Sequence, residues 1–513
     1  MKREYYFYLL LFVTVAGLFF TYPFTRYPYD IWEHLFTMDS EYINLLHMPE
    51  SRKSWHHFWT LFFDFFGVEN SQILLRAKII HTIQTLVSFF ALFFFSRVMI
   101  RILFRSADRL AINYMAYWST ILWFTIFATF SVHYHQMWIM WYSVNYQISL
   151  PLFWYSLALI LIVLFDKPSP KINSLYLLQI VIITLLILRI HPMEILYLMM
   201  HLFVLLLVFG DKVWFSIKKN YYIWIPLFIV IAVTIKAYYQ DQLPLIIGYL
   251  HIDRLPQLYQ LIIHNGELLE KTGNNRAFSS FNELMILTLL MGSVTALILL
   301  YHHYRDRSDT IDRQLFIFLI LTSLFVLIPI FTFSSGVASV IAKISVVNRF
   351  YYSASIFILF PVSIYYLFSL YSKEVNLRYF NATVVVILLG TTLYSRDYTL
   401  SQNYYKNIKS LESSFFQERV GFHLTQDHID RIGTELKTYE SRRDHNKTAL
   451  YLARGDIAMV LRYIYRQNVY WRGRKTNPTY PQMEAYIETR LPTGREGIIF
   501  MTPKGFPDYE PYR

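Results

Sequence analysis

The chain of 513 residues is 55% apolar and 19% aromatic, is charged at only 16% of its positions, and has a net charge of +12 and no cysteine. With a mean hydropathy of +0.33 it is too apolar for a soluble protein and too regularly interrupted for one core, so it reads as a polytopic α-helical membrane protein. The lack of cysteine excludes disulfides, thiolate metal sites and a cysteine nucleophile; the basic excess suits an anionic membrane surface, and no basic run carries a nucleic-acid motif, which sets nucleic acid aside as a partner.

Met1-Lys2-Arg3 precedes an apolar run from Tyr5 to Phe24 without a small-residue cleavage site. The run is long enough to cross ~30 Å of hydrocarbon and reads as an uncleaved span. Further spans are predicted at about 75–96, 111–132, 148–165, 174–190, 193–210, 221–239, 281–302, 314–334, 350–371 and 379–395, about eleven in all. Cytoplasmic loops hold the excess of Lys and Arg. With Lys2 and Arg3 inside, the inside set takes Arg97, Arg101, Arg105 and Arg109, then Lys167 and Lys171, then Lys212, Lys218 and Lys219, then Arg305, Arg307 and Arg313, and finally Lys373 and Arg378. This alternation places loop 25–74, loop 240–280 and everything after Tyr394 on the outer, non-cytoplasmic side. The expected organisation is a transmembrane domain over 1–395 and a soluble outer α/β domain over 396–513.

The outer loops have features of their own. The aromatic run Ser54 to Phe66 is too short to span and suits a helix lying in the membrane interface. Leu255 to Ile263 reads as a second interfacial helix, followed by the polar stretch Lys271 to Arg276. In the tail, Glu412 to Lys437 and Asp456 to Gln467 read as helices, Thr448 to Ala453 and Val469 to Trp471 as strands, Pro481 to Arg490 as a helix and Gly497 to Met501 as a third strand. That βαβαβ alternation predicts a small parallel sheet. Gly455 marks the first strand-to-helix turn.

Four carboxylates and a histidine crowd the first outer loop: Asp30, Glu33, His34, Asp39 and Glu41. A carboxylate at headgroup level can act as general base toward a hydroxyl or amide acceptor. Asp30 also suits the N-cap of a helix beginning at Ile31, with Glu33 completing a capping box, and the two roles are compatible. Cations at the outer ends of spans form a second constellation: Arg189 and His191 in the turn between the fifth and sixth spans, Arg349 opening the tenth, and Arg76 and Lys78 where the second span begins. Positive charge there runs against the inside bias, so each wants an anion, and the planar fork of arginine suits phosphate. Snorkelling to headgroups or a local ion pair is the alternative. His133 and His135 are two apart and do not converge on a helix, and no metal site is read.

An acid in the first outer loop, many spans, an Arg-aromatic pair opening a late span (Arg349-Phe350) and a soluble outer tail together resemble the GT-C superfamily of membrane glycosyltransferases. The Asp-x-Trp-x-His-Leu of Asp30, Trp32, His34 and Leu35 is similar to an Asp-x-Trp-Trp-His-Leu pattern of bacterial members, with Glu33 replacing the second Trp. The adjacent Asp-Glu pair of the protein mannosyltransferase branch is missing, which leaves the acceptor open between glycan, lipid and protein. The resemblance implies a GT-C-like fold in a bacterial inner membrane with a periplasmic tail, and inverting transfer of a sugar from a polyprenyl-phosphate donor on the outer face. It also implies a carboxylate, foremost Asp30, as base and Arg349 and Arg189 on the departing phosphate, an electrostatic role worth ~3–4 kcal/mol if comparable to an oxyanion-hole donor. Trp32, His34, Trp138 and Trp141 would contact sugar, no cofactor is implied with certainty, and assistance by a divalent cation stays open. Two other classes also stay open: a lipid-linked polysaccharide polymerase or ligase of another fold, and a non-catalytic membrane subunit of an envelope-assembly complex. Indifference to the first-loop acid would favour the former, tolerance of both Asp30 and Arg349 substitutions the latter.

Overall fold

The computed structural model describes residues 2–19, 54–69, 73–125, 146–166, 169–191, 193–219, 283–305, 311–328, 350–372, 375–394, 426–443, 447–453, 455–463, 465–470, 480–491 and 493–500, with single positions at 221, 229 and 338. The helices are α1 (Lys2–Phe19), α2 (Ser54–Phe65), α3 (Ile73–Leu103), α4 (Arg109–Thr125), α5 (Tyr146–Phe165), α6 (Pro170–Ile190), α7 (Met193–Lys219), α8 (Glu283–Tyr304), α9 (Arg313–Ser323), α10 (Ile356–Tyr371) and α11 (Leu377–Tyr394). Each expected span carries one of them except 221–239, of which only positions 221 and 229 are described; loop 240–280 lies outside the described residues. Among the described residues five segments are long and apolar enough to cross a bilayer: Lys78–Leu103, Ile148–Phe165, Lys171–Ile190, Met193–Lys219 and Met285–Tyr304. Shorter apolar helices cover Glu4–Leu18, Arg313–Leu327, Ile356–Tyr371 and Leu377–Gly390.

Three boundaries differ from expectation. The predicted span 193–210 runs on as α7 to Lys219 through a kink at Phe209 (φ −130°, ψ 29°), so Lys212, Lys218 and Lys219 sit on the helix and not in a loop. Gly210 follows the kink, and the polar Asp211 and Lys212 mark the change of surroundings there. The predicted span from 314 holds an α-helix only to Ser323 and then tightens into a 3-10 turn, Leu324–Leu327. The span predicted from 350 opens on another 3-10 turn, Phe350–Ser353, closed by Ser353 Oγ donating to the Phe350 carbonyl at 2.8 Å, and becomes α-helical only at Ile356.

Several helices carry an apolar stripe on the outside. On α7, Met199, Phe203, Leu206 and Leu207 are exposed while Glu194, Tyr197 and His201 are buried; on α8, Ile286, Leu290, Val294 and Leu297 are exposed while Thr288 and Thr295 are buried. In water such stripes would be left unburied, whereas hydrocarbon accepts them. α10 is the centre of the bundle, buried without a break from Ile356 to Tyr366 and packed against α4, α8, α9 and α11. Gly292 of α8 makes the closest approach possible, since a Cβ there would lie 2.6 Å from Leu359 Cδ2. Asn381, a polar residue inside the predicted span 379–395, accepts from Trp118 Nε1 at 2.7 Å and so ties α11 to α4.

One end of the bundle gathers several of the cations that were assigned to the inside. Arg97 Nε donates to Asn113 Oδ1 at 2.9 Å between α3 and α4, Arg101 pairs with Asp166 beyond the end of α5, and the Asp312 amide donates to the Leu103 carbonyl at 2.9 Å. Asp312 also caps α9, accepting from the Leu315 amide at 3.0 Å, while Arg313 bonds His303 of α8. Lys212 lies 4.8 Å from the Phe165 ring centre.

The tail holds α12 (Gln426–Glu440), β1 (Thr448–Leu452), α13 (Gly455–Tyr463), β2 (Val469–Tyr470), α14 (Tyr480–Arg490) and β3 (Arg495–Ile499). The predicted first helix, from Glu412, is described only from Gln426, and β3 begins two residues earlier than Gly497. The sheet is parallel as expected, in the order β2-β1-β3. Leu450 and Leu452 of β1 pack on Met483 and Tyr486 of α14, the alternation a sheet between two helix layers requires. The chain divides into two compact units, one of Met1–Thr21, Thr82–Met140 and Asn145–Ser410, the other of Tyr22–His81, Trp141–Val144 and Leu411–Arg513.

Candidate functional site

The turn between α6 and α7 brings an imidazole and a carboxylate together, just after a cation in the last turn of α6. α6 ends at His191, whose backbone is extended (φ −158°, ψ 100°) and whose amide donates to the Ile187 carbonyl, and α7 starts at Met193. Arg189 is in the last turn of α6, half-buried. His191 Nδ1 lies 2.7 Å from Glu194 Oε2, with the two side chains 14% and 2% exposed. Glu194 stands in the first turn of α7, where unsatisfied amides and the helix dipole favour a carboxylate. A carboxylate this deeply buried is held only with a partner. The sequence reading named Arg189 and His191 but missed Glu194; its signal was the i, i+3 spacing from His191.

Tyr197 and His201 continue the same face of α7 inward, three and seven residues beyond Glu194, or ~10 Å of helix. Both are buried. His201 Nδ1 donates to the Tyr197 carbonyl at 2.9 Å, and its ring is held edge-on by Phe153 at 5.2 Å and Phe325 at 5.0 Å, with Trp154 at 6.0 Å. α3 carries a second polar stripe, His81, Gln84, Thr85 and Ser88, all fully buried, with Ser88 Oγ donating to the Gln84 carbonyl at 2.8 Å. Their spacing of i, i+3, i+4 and i+7 places them on one helix face. Polar side chains are expensive inside a bilayer and mark substrate or ion paths when they line a bundle interior.

Arg76 is engaged closer to home. Its Nε and Nη2 both donate to the Val68 carbonyl, at 3.2 and 2.5 Å, and its guanidinium lies 4.7 Å from the Phe63 ring centre. The helix that it clamps, α2, is the expected interfacial one: Trp55, Trp59 and Phe63 are buried on one side, whereas Phe58, Leu61 and Phe65 are exposed on the other. Lys78 is half-buried two residues further along α3. The remaining sequence-predicted residues, Asp30, Trp32, Glu33, His34, Asp39, Glu41, Trp138, Trp141 and Arg349, lie outside the described residues. Among the described residues no three acidic or histidine side chains converge as metal ligands.

No family profile and no curated protein matches the chain. The site is therefore interpreted from its own chemistry: a guanidinium and a carboxylate-bound imidazole at the end of the bundle remote from Arg101, Asp312 and Arg313, with a polar helix face leading inward from them. Such an arrangement suits an anion at the membrane surface.

Proposed function

We propose that the protein is a GT-C-like membrane glycosyltransferase that moves a sugar from a polyprenyl-phosphate donor to a glycan, lipid or protein acceptor on the non-cytoplasmic face of a bacterial inner membrane, with inversion at the anomeric carbon. The observation that carries this reading is the His191–Glu194 pair, its carboxylate buried, in the turn that follows Arg189, at the bundle end away from the arginine-rich one. The membership of residues 22–81 and 411–513 in one compact unit adds support, because an outer first loop and an outer tail belong on the same side.

In this reaction the acceptor oxygen attacks the anomeric carbon, Asp30 takes the acceptor proton, and the bond from that carbon to the phosphate oxygen breaks with its electron pair going to the lipid phosphate. Arg189, His191 and Arg349 hold the departing phosphate. Glu33, Asp39 and Glu41 surround the base, and Trp32, His34, Trp138 and Trp141 contact the sugar. Arg76, bonded to Val68 and stacked on Phe63, shapes the first loop and leaves the phosphate to the other cations.

The experiment is Asp30→Asn in the full-length protein, assayed with lipid-linked sugar in excess. Asparagine caps a helix about as well as aspartate but accepts no proton, so the protein stays folded and transfer is lost. Transfer close to that of the unmodified protein removes Asp30 as base, and full activity in the Asp30→Asn, Asp39→Asn and Glu41→Gln variants alike sinks the mechanism.

A further inference from the structure

We infer that the arginine-rich end of the bundle holds a site for the phosphate of an anionic phospholipid, formed by Arg97 and Arg109 where α3 meets α4. Arg97 is half-buried within the last two turns of α3. Its Nε donates to Asn113 Oδ1 at 2.9 Å, a neutral acceptor, and its Nη1 and Nη2 have no partner among the described residues. Arg109 stands one turn before Asn113 in the first turn of α4, exposed, and its side chain makes no hydrogen bond or ion pair among the described residues. The helix dipole opposes a cation there and favours an anion.

Arg101 and Arg109 are near enough to Arg97 for their charges to repel it. Arg101 is matched by Asp166, but no carboxylate among the described residues pairs with the other two. Asp108 is the only carboxylate between Arg97 and Arg109 in the chain, and its Oδ2 accepts from the Leu110 amide at 3.3 Å. A half-buried guanidinium beside like charges is costly until an anion joins it, and a phosphate offers two oxygens to the open fork. The inside excess of Lys and Arg asks only for net charge. It does not account for three guanidiniums kept within reach of one another around one ion pair, whereas basic pockets between spans that take lipid headgroups have this form.

The surroundings select a lipid over a free anion. Phe90, Phe94, Arg97 and Arg101 follow one another at steps of four, three and four residues, which is one face of α3. Phe90 is exposed, and Phe94 is half-buried with its ring 5.3 Å from that of Tyr155 on α5. A phosphate at Arg97 would therefore have an apolar stripe running ~10 Å along the helix away from it, a place for an acyl chain that a soluble anion has no use for.

The test reads binding of phosphatidylglycerol to the full-length protein in neutral detergent by native mass spectrometry, beside phosphatidylcholine and inorganic phosphate at the same concentration. Phosphatidylglycerol should bind about tenfold more tightly than phosphatidylcholine, and Arg97→Gln and Arg109→Gln should each weaken it about tenfold, the loss of one charge-assisted bond. Arg97→Lys should recover part of the affinity. Arg305→Gln is the control, because that exposed cation of the same bundle end lies over Tyr301 and should leave the affinity within about twofold. Unchanged affinity in both Arg97→Gln and Arg109→Gln overturns the inference, and so does an equal loss in Arg305→Gln, which would mean diffuse surface charge. Displacement of the lipid by inorganic phosphate at equal concentration overturns the assignment to a lipid. Should Arg97→Gln not fold, the exposed Arg109→Gln decides on the same terms. Sugar transfer is not the readout, so the glycosyltransferase reading stands or falls separately.

Discussion

Arg76 separates a structural cation from a ligand-binding one. In Arg76→Ala the Val68 carbonyl loses two N–H donors at 3.2 and 2.5 Å, and Phe63 loses the guanidinium 4.7 Å from its ring centre. A hydrogen bond to a charged group contributes about 1.5–3 kcal/mol and an aromatic-cation contact of this kind about 0.5–1 kcal/mol, so the segment joining α2 to α3 should lose ~2–4 kcal/mol of local stability. Because the loss is confined to one connection, it should appear as local opening and not as global unfolding. At 1.4 kcal/mol per factor of ten, amide hydrogen exchange over residues 60–69 should accelerate roughly 30- to 700-fold. Arg76→Lys keeps the charge but not the fork and should fall between the two. Farnesyl phosphate affinity should stay within twofold of the unmodified protein in both variants, in contrast to Arg349→Ala and Arg189→Ala, which should each weaken it. Unchanged exchange in Arg76→Ala together with a loss of phosphate affinity would refute the clamp and return Arg76 to the phosphate.

Three further outcomes are expected. A reporter fused after Tyr394 should be active only on the outer side, and cytoplasmic activity would remove a span from the topology. Gly292→Val should lower the thermal midpoint by the equivalent of ~1–3 kcal/mol, the cost of overpacking, because its Cβ would fall 2.6 Å from the buried Leu359 Cδ2; Gly292→Ala should cost less, since alanine recovers about 1 kcal/mol of helix propensity. In the tail, burial and the Glu440 carboxylate that accepts from its hydroxyl push the Tyr451 phenol well above the usual tyrosine value. A raised folded-state value means that the contribution is complete below about pH 10, where unfolded tyrosine ionises, and is lost as pH rises beyond it toward the folded-state value. Protease resistance of the tail should therefore fall more steeply above pH 10 in the unmodified protein than in Tyr451→Phe, and parallel curves would contradict the assignment.

The parts of the fold that were legible in the sequence are those that a local pattern encodes. Thr448 to Leu452 is β-rich and ends at a glycine turn, and the alternation that follows yields the parallel β2-β1-β3 sheet. Apolar runs marked where helices lie but not all of their ends: α7 runs on to Lys219 and the α-helix of α9 stops at Ser323. The Phe209 kink escaped because phenylalanine is an ordinary helix residue and only its backbone departs. The clamp on Arg76 escaped because its acceptor is a main-chain carbonyl, which has no letter in the sequence. Glu194 and the His81, Gln84, Thr85 and Ser88 stripe were visible as polar positions at helical spacing inside apolar runs, but averaged hydropathy treats them as tolerated interruptions. Burial distinguishes a polar residue turned to a bundle interior from one at a span end, and burial depends on packing between helices that are distant in the chain.

The division of the chain also sets a timetable for its synthesis. The unit containing residues 22–81 takes its other large part from Leu411 onward, so roughly 330 residues must be made before that unit can close. At ~5–20 residues per second this is a wait of about 15–65 s. During that interval α2, tied locally to α3 through Arg76 and Phe63, carries large apolar residues on both faces: Trp55, Trp59 and Phe63 on one, Phe58, Leu61 and Phe65 on the other. In water such a segment would recruit chaperones or other nascent chains. A headgroup region would accommodate such a segment, so an apolar face that looks wasteful in the finished protein would serve as a waiting berth while the rest of the chain is made.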